Sequence, residues 1–193
     1  TLVAALLLGM VLPILPLHIL WINLVTTVAL AIALAFDPTD DDTMQRAPRD
    51  PNAPLIDGFL VWRIVYVSVL MATGTFGLFY YELRTGSSLE VARAVAVNAI
   101  VFFEVAYLFN SRHLTNSVIN RRGLLGNPIV WYGVLAVVIL QLTFTYWPTA
   151  NRIFEVAAID AGMWLRILAA SGMLFLIVEG EKAFSRRWGS HIR

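Results

Sequence analysis

The chain has 193 residues, of which 59% are hydrophobic and only 14% are charged, against about 25% charged in a soluble domain. Its mean hydropathy is +0.72, so a water-facing surface would carry large apolar patches, and a soluble enzyme is excluded in favour of a chain embedded in the lipid bilayer. With 14 basic and 13 acidic side chains the net charge is +1, too balanced for a nucleic-acid partner, and the lack of cysteine removes disulfides, thiolate metal sites and cysteine nucleophiles.

The first apolar run, 1–12, is too short to span about 30 Å of hydrocarbon. No basic segment precedes it and no small-residue cleavage site follows, which argues against a signal peptide. It reads as half a helix, and the chain, which starts at Thr1 without an initiator Met, as a fragment. Pro13 and Pro16 then turn the backbone. Apolar stretches near or above roughly 20 residues follow, predicting helices over 18–36, 58–81, 91–110, 128–147 and 162–182. The expected fold class is therefore all-α, a polytopic transmembrane helix bundle with five complete spans plus a truncated first helix.

Basic residues orient such a bundle, because connections rich in Lys and Arg stay cytoplasmic. One set holds nine: Arg46, Arg49, Arg112, Arg121, Arg122, Lys182, Arg186, Arg187 and Arg193; the alternate set holds two, Arg84 and Arg152, with Arg63, Arg93 and Arg166 at helix ends. The expectation is a multi-pass integral membrane protein with a cytoplasmic C terminus. Tyr80, Tyr81, Trp147 and Trp164 fall where an interfacial aromatic belt belongs. The longest connection, 37–57, DPTDDDTMQRAPRDPNAPLID, lacks the Gly and terminal Glu of an EF-hand loop. Its composition alone describes a solvated acidic linker stiffened by proline.

Polar residues inside the spans carry the chemistry. Glu104 lies within AVAVNAIVFFEVAYLFN, where an acidic side chain costs about 2.5–3.5 kcal/mol to insert. It is either a protonated carboxyl bonded to a neighbouring helix or an oxygen ligand or proton carrier. In LWINLVTTVALAIALAF, Asn23, Thr26 and Thr27 stand at i, i+3 and i+4, a spacing that groups their oxygens within about one turn. Such oxygens either pair helices or ligate a hard cation. Asn98 and Asn110, six positions either side of Glu104, read as packing or helix-end residues, and Gln141, Thr143 and Thr145 as partners of neighbouring helices. His18 reads as interfacial, Glu179, Glu181 and Lys182 as the wet end of the last helix, and Gly74, Gly77 and Gly172 as points of close helix approach.

Residues 15–60 resemble the sixth membrane helix and following cytoplasmic loop of P-type cation-transporting ATPases, closest to the calcium-pump branch. The match rests on Leu20, Trp21, Asn23, Leu24, Val25 and Thr26, then on Phe36, Pro38, Asp40, Asp42, Met44, Arg46, Pro48, Arg49, Pro51, Pro54, Leu55, Ile56 and Gly58. FFEVAYLFNS, with Glu104, Asn110 and Ser111, is similar to the eighth helix of that family. The resemblance covers 1–193 as the C-terminal transmembrane domain, from the end of the fifth helix to the tenth.

That resemblance implies an ATP-driven pump working through an aspartyl-phosphate, with Mg-ATP bound only by the parent protein. No DKTGT sequence, nucleotide domain or actuator segment occurs in this chain, so it has no catalytic residues of its own. Its implied partners are the bilayer and the missing N-terminal helices and cytoplasmic domains of the same pump. Asn23 and Thr26 correspond to family cation ligands on the sixth helix and Glu104 to one on the eighth, while the loop 37–57 would couple to the phosphorylation domain. The implied cation is Ca²⁺ and the implied location the plasma membrane. Thr27 stands where calcium pumps of this branch carry a shared aspartate, and Tyr107 where they carry an amide, which predicts fewer ions per cycle or another cation. A secondary cation transporter fragment, or a structural bundle without an ion site, are the alternatives; the former would show an inverted repeat, and no second copy of NLVTT or FFEVA is present.

Overall fold

Apolar stretches of this length form helices because the bilayer interior offers no water to unpaired backbone groups. The computed structural model of the chain describes residues 11–35, 58–112 and 127–189, with 28–34, 59 and 185–189 described by backbone alone. They form α1 (Pro16–Ala35), α2 (Gly58–Arg84), α3 (Leu89–Arg112), α4 (Pro128–Tyr146), α5 (Pro148–Phe154) and α6 (Ala161–Gly189). No strand occurs among the described residues. Among the described residues four segments, Leu60–Arg84, Leu89–Arg112, Pro128–Tyr146 and Ala161–Phe184, are long and apolar enough to cross a membrane. The further expected span, 18–36, falls on α1, a helix of 20 residues that is not among these four. The half helix 1–12, except Val11 and Leu12, lies outside the described residues, as do the loop 37–57 and the orienting residues Arg46, Arg49, Arg121, Arg122 and Arg193.

Helix boundaries have local causes. At α4 the side chain of Asn127 accepts a hydrogen bond from the Ile129 amide at 2.9 Å and Pro128 opens the first turn, where a missing N–H costs nothing. Asp160 caps α6 by accepting from the Met163 amide at 2.7 Å. Gly86, at φ +88°, turns the chain between α2 and α3, a conformation glycine adopts without a Cβ penalty. The short α5 was not an expected element: Trp147, whose ψ is extended, breaks the helical run and Pro148 starts a new seven-residue helix.

The bundle is organised around α3, which packs against α1, α2, α4 and α6. Of its span 61% is buried, compared with 17% for α2 and 28% each for α4 and α6. The reason is in its sequence: Ala92, Ala94, Val95, Ala96, Val97 and Ala99 are all buried, and their small side chains admit several neighbouring helices. Gly74 on α2 allows one such approach, since a Cβ there would lie 2.9 Å from the Phe103 ring. Gly77 and Gly172 have nothing within 4 Å of an added Cβ, so of these three glycines only Gly74 marks a close approach.

Charged side chains tie the bundle at both ends. At one end, buried Glu82 of α2 accepts two hydrogen bonds from Arg166 of α6, at 3.0 and 2.7 Å. At the other, Lys182 of α6 donates to Glu179 at 2.6 Å and to the Asn110 carbonyl of α3 at 2.7 Å. Glu179 and Lys182 are only 6% and 2% exposed, which corrects the expectation of a wet helix end. Lys182 instead satisfies one of the carbonyls that the last turn of α3 leaves without a helical donor.

Candidate cation site

Glu104 is placed by the central helix, α3, on the side that meets α1. The carboxyl is half-buried, its Oε2 atom is buried with no hydrogen-bond partner, and the Thr26 side chain of α1 faces it. Thr26 is itself buried and donates to the Ile22 carbonyl at 2.9 Å, which satisfies the hydroxyl proton within its own helix and leaves oxygen lone pairs available. A buried carboxylate oxygen without a donor is costly unless something positive completes it. The pair Thr26 and Glu104 thus has the chemistry of hard-cation ligands.

Asn23 and Thr27 are disposed differently. Both are exposed, and with Leu20 at 65% and Leu24 at 57% exposure they form a stripe at i, i+3, i+4 and i+7 along α1. The three polar residues therefore do not share a single buried face: Thr26 turns inward to α3, while Asn23 and Thr27 lie on the open side next to it. Tyr107, one turn beyond Glu104, packs against the hydrophobic core. Among the described residues no group of three or more His, Cys, Asp or Glu side chains is placed to hold a metal. Calcium takes six to eight oxygens, more than Thr26 and Glu104 supply by themselves.

A second polar group lies deeper. Trp21 of α1 donates from Nε1 to Gln141 Oε1 of α4 at 2.8 Å, and Gln141 Nε2 donates to Asn98 Oδ1 of α3 at 3.0 Å. Asn98 Nδ2 donates in turn to Thr145 Oγ1 at 3.0 Å and to the Ala94 carbonyl at 2.9 Å. Asn98, Gln141 and Thr145 are fully buried. Thr143 is exposed and its hydroxyl donates to the Ile139 carbonyl of its own helix, at 2.9 Å. His18 corrects the interfacial expectation: it is fully buried, accepts from the Leu15 amide at 3.0 Å through Nδ1, and donates through Nε2 to the Phe154 carbonyl of α5. Sequence reading missed this contact because α5 itself was not foreseen.

Residues 11–184 match the family model described as "Cation transporting ATPase, C-terminus". The chain belongs to this family. It is 42% identical over 183 residues to "Probable cation-transporting ATPase F" of Mycobacterium tuberculosis, covering 95% of this chain and 20% of that protein. It is 31% identical over 180 residues to "Calcium-transporting ATPase" of Bacillus subtilis, covering 92% and 20% respectively. Against human "Calcium-transporting ATPase type 2C member 1" the identity is 27% over 174 residues, covering 90% and 19%. The chain thus spans about one fifth of the length of these relatives. As the C-terminal membrane region of a cation-transporting P-type ATPase, it carries Glu104 and Thr26 together at the contact between α1 and α3 of the family's membrane region.

Proposed function

We propose that this chain is the membrane part of an ATP-driven calcium pump, supplying Glu104, Thr26 and Asn23 as cation ligands and, through loop 37–57, the mechanical link to a phosphorylation domain. The single observation that carries the reading is the Glu104 Oε2 atom, buried without a hydrogen-bond partner in a largely apolar helix and facing Thr26. A protein that needed Glu104 only for packing would satisfy that atom with a donor; a ligand for a mobile cation waits for its charge to arrive. Asn23 and Thr27 lie on the open stripe of α1, where helices from the rest of the pump would complete the shell. Calcium is favoured by the names of two of the relatives. Thr27 in place of a shared aspartate supports one divalent ion per cycle, because each missing carboxylate lowers the charge available to neutralise a second. In this reading ATP and Mg²⁺ bind upstream in the parent, the end of the bundle bearing Lys182 faces the cytoplasm, and the pump resides in the plasma membrane.

The test is Glu104→Gln in the full-length protein, with the cation dependence of phosphoenzyme formation as the readout. The amide keeps the shape and removes the charge. Apparent affinity is expected to fall about tenfold or more, each factor of ten being about 1.4 kcal/mol of lost attraction, with expression and insertion intact. An unchanged midpoint would reject Glu104 as a ligand.

A further inference from the structure

The hydrogen-bonded chain of half-buried Trp21 with buried Gln141, Asn98 and Thr145 has a fixed direction. An indole N–H can only donate, so Gln141 must turn Oε1 to Trp21 and, through the same planar amide, Nε2 to Asn98. Asn98 then has to receive on Oδ1, and its Nδ2 points at Thr145 and the Ala94 carbonyl; the four distances run from 2.8 to 3.0 Å. One donor at α1 thereby orients two amides on two other helices. The indole is also wedged: it stacks on Phe144 at 5.5 Å between centroids and meets Phe154 edge-on at 5.2 Å.

The position of this anchor on α1 matters. At about 100° per residue, Trp21 points roughly opposite to Asn23, and the exposed stripe of Leu20, Asn23, Leu24 and Thr27 leaves Trp21 on the side packed against α4. The chain holds the helix from behind the ligand face. A helix has an outer radius of roughly 5–6 Å, so a rotation of about 10° moves a side-chain atom by about 1 Å. A misplacement of that size can cost as much as about a hundredfold where geometry governs function.

We propose that the Trp21–Gln141–Asn98–Thr145 chain is a rotational lock on α1, in which Gln141 is a positioning residue that sets where Asn23 and Thr26 present their oxygens to the transported cation. The proposal rests on the reading of α1 as a ligand-bearing helix. It differs from simple packing in one respect: loss of the lock moves ion affinity through a bond that touches no ion.

The experiment uses the full-length protein carrying Trp21→Phe, Gln141→Met, both together, Gln141→Glu, and Glu104→Gln as the reference for the site itself. Thermal unfolding in detergent measures the bond, and the calcium midpoint of phosphoenzyme formation measures what the bond does. Each single variant is expected to weaken apparent affinity by about threefold to tenfold with maximal phosphoenzyme unchanged, and the double variant to be no worse than either single. Gln141→Glu, buried and therefore neutral, keeps an acceptor for Trp21 and an O–H for Asn98 and is expected to stay within about twofold of the original midpoint. Additive losses in unfolding temperature would overturn the lock itself. Coupled unfolding losses with an unmoved midpoint, while Glu104→Gln shifts it, would overturn the positioning role and leave the cation site standing. Shifts in the lock variants without one in Glu104→Gln would support the lock and remove Glu104 from the site. If no variant moves the midpoint, both readings fall.

Discussion

Asn98 and Glu104 sit six residues apart on the same helix, α3, yet the bundle treats them in opposite ways. Asn98 is fully buried and its amide is saturated, receiving from Gln141 and donating to Thr145 and Ala94 at 2.9–3.0 Å. Glu104 is half-buried, faces one threonine, and keeps a carboxylate oxygen with no partner. Hydropathy penalises both residues, and the difference lies only in what the neighbouring helices bring to them. A polar group whose every bond is closed by protein holds helices together, whereas one left open at a helix contact is available to something that comes and goes. The same contrast separates Lys182, held by Glu179 and the Asn110 carbonyl, from the exposed Asn23 and Thr27 on α1.

The largest effect expected from this contrast concerns the isolated chain. If the open oxygens at Glu104, Thr26 and Asn23 are half of a shell, 1–193 alone should insert as a helical bundle and bind calcium only weakly, because a cation that gives up its water needs about six or more oxygens in return. Titration calorimetry in detergent showing submicromolar affinity would break the comparison.

Replacing the closed residue should do what replacing the open one does not. Asn98→Leu leaves the Gln141 amide and the Thr145 hydroxyl without their partner, and is expected to lower stability by about 1–2 kcal/mol, at roughly 0.6 kcal/mol or somewhat more per bond within a membrane bundle. Glu104→Gln is expected to leave the unfolding temperature unchanged or raised, since it removes an uncompensated buried acid. Thermal unfolding of the two variants side by side in the full-length protein tests this, and equal losses would mean that Glu104 is as structural as Asn98.

The smallest effect belongs to Thr27, on the open stripe beside Thr26. Thr27→Asp in the full-length protein adds a carboxylate on that stripe. A second bound ion would double occluded calcium per phosphoenzyme near neutral pH. If the new acid simply takes a proton, stoichiometry stays the same and affinity rises only at alkaline pH, because an unpaired charge within the membrane costs more than a raised pKa. No change in either quantity would place Thr27 away from the ions.

Much of the helical framework was legible because the bilayer imposes a length and a polarity on every span. α2, α3 and α4 coincide closely with apolar runs, and Glu104 announced itself by the cost of placing an acid among them. Where expectation and structure part, a contact remote in sequence is responsible. His18 is buried because α5, a helix restarted by Pro148, brings the Phe154 carbonyl to it across 136 positions. Lys182 is buried because the end of α3 offers it the Asn110 carbonyl, which no local pattern in α6 foretells.

The sequence by itself determined that this chain is a membrane helix bundle, which runs of it are helical, and which polar residues are too expensive to be idle. Those properties follow from transfer energies and helical period, which are local and additive along the chain. Which of the costly residues are closed and which remain open was decided only in three dimensions. Hydrogen bonding inside a bundle depends on the rotation of each helix against its neighbours, and that rotation is set by packing between residues far apart in the chain, as in the bond from Trp21 to Gln141.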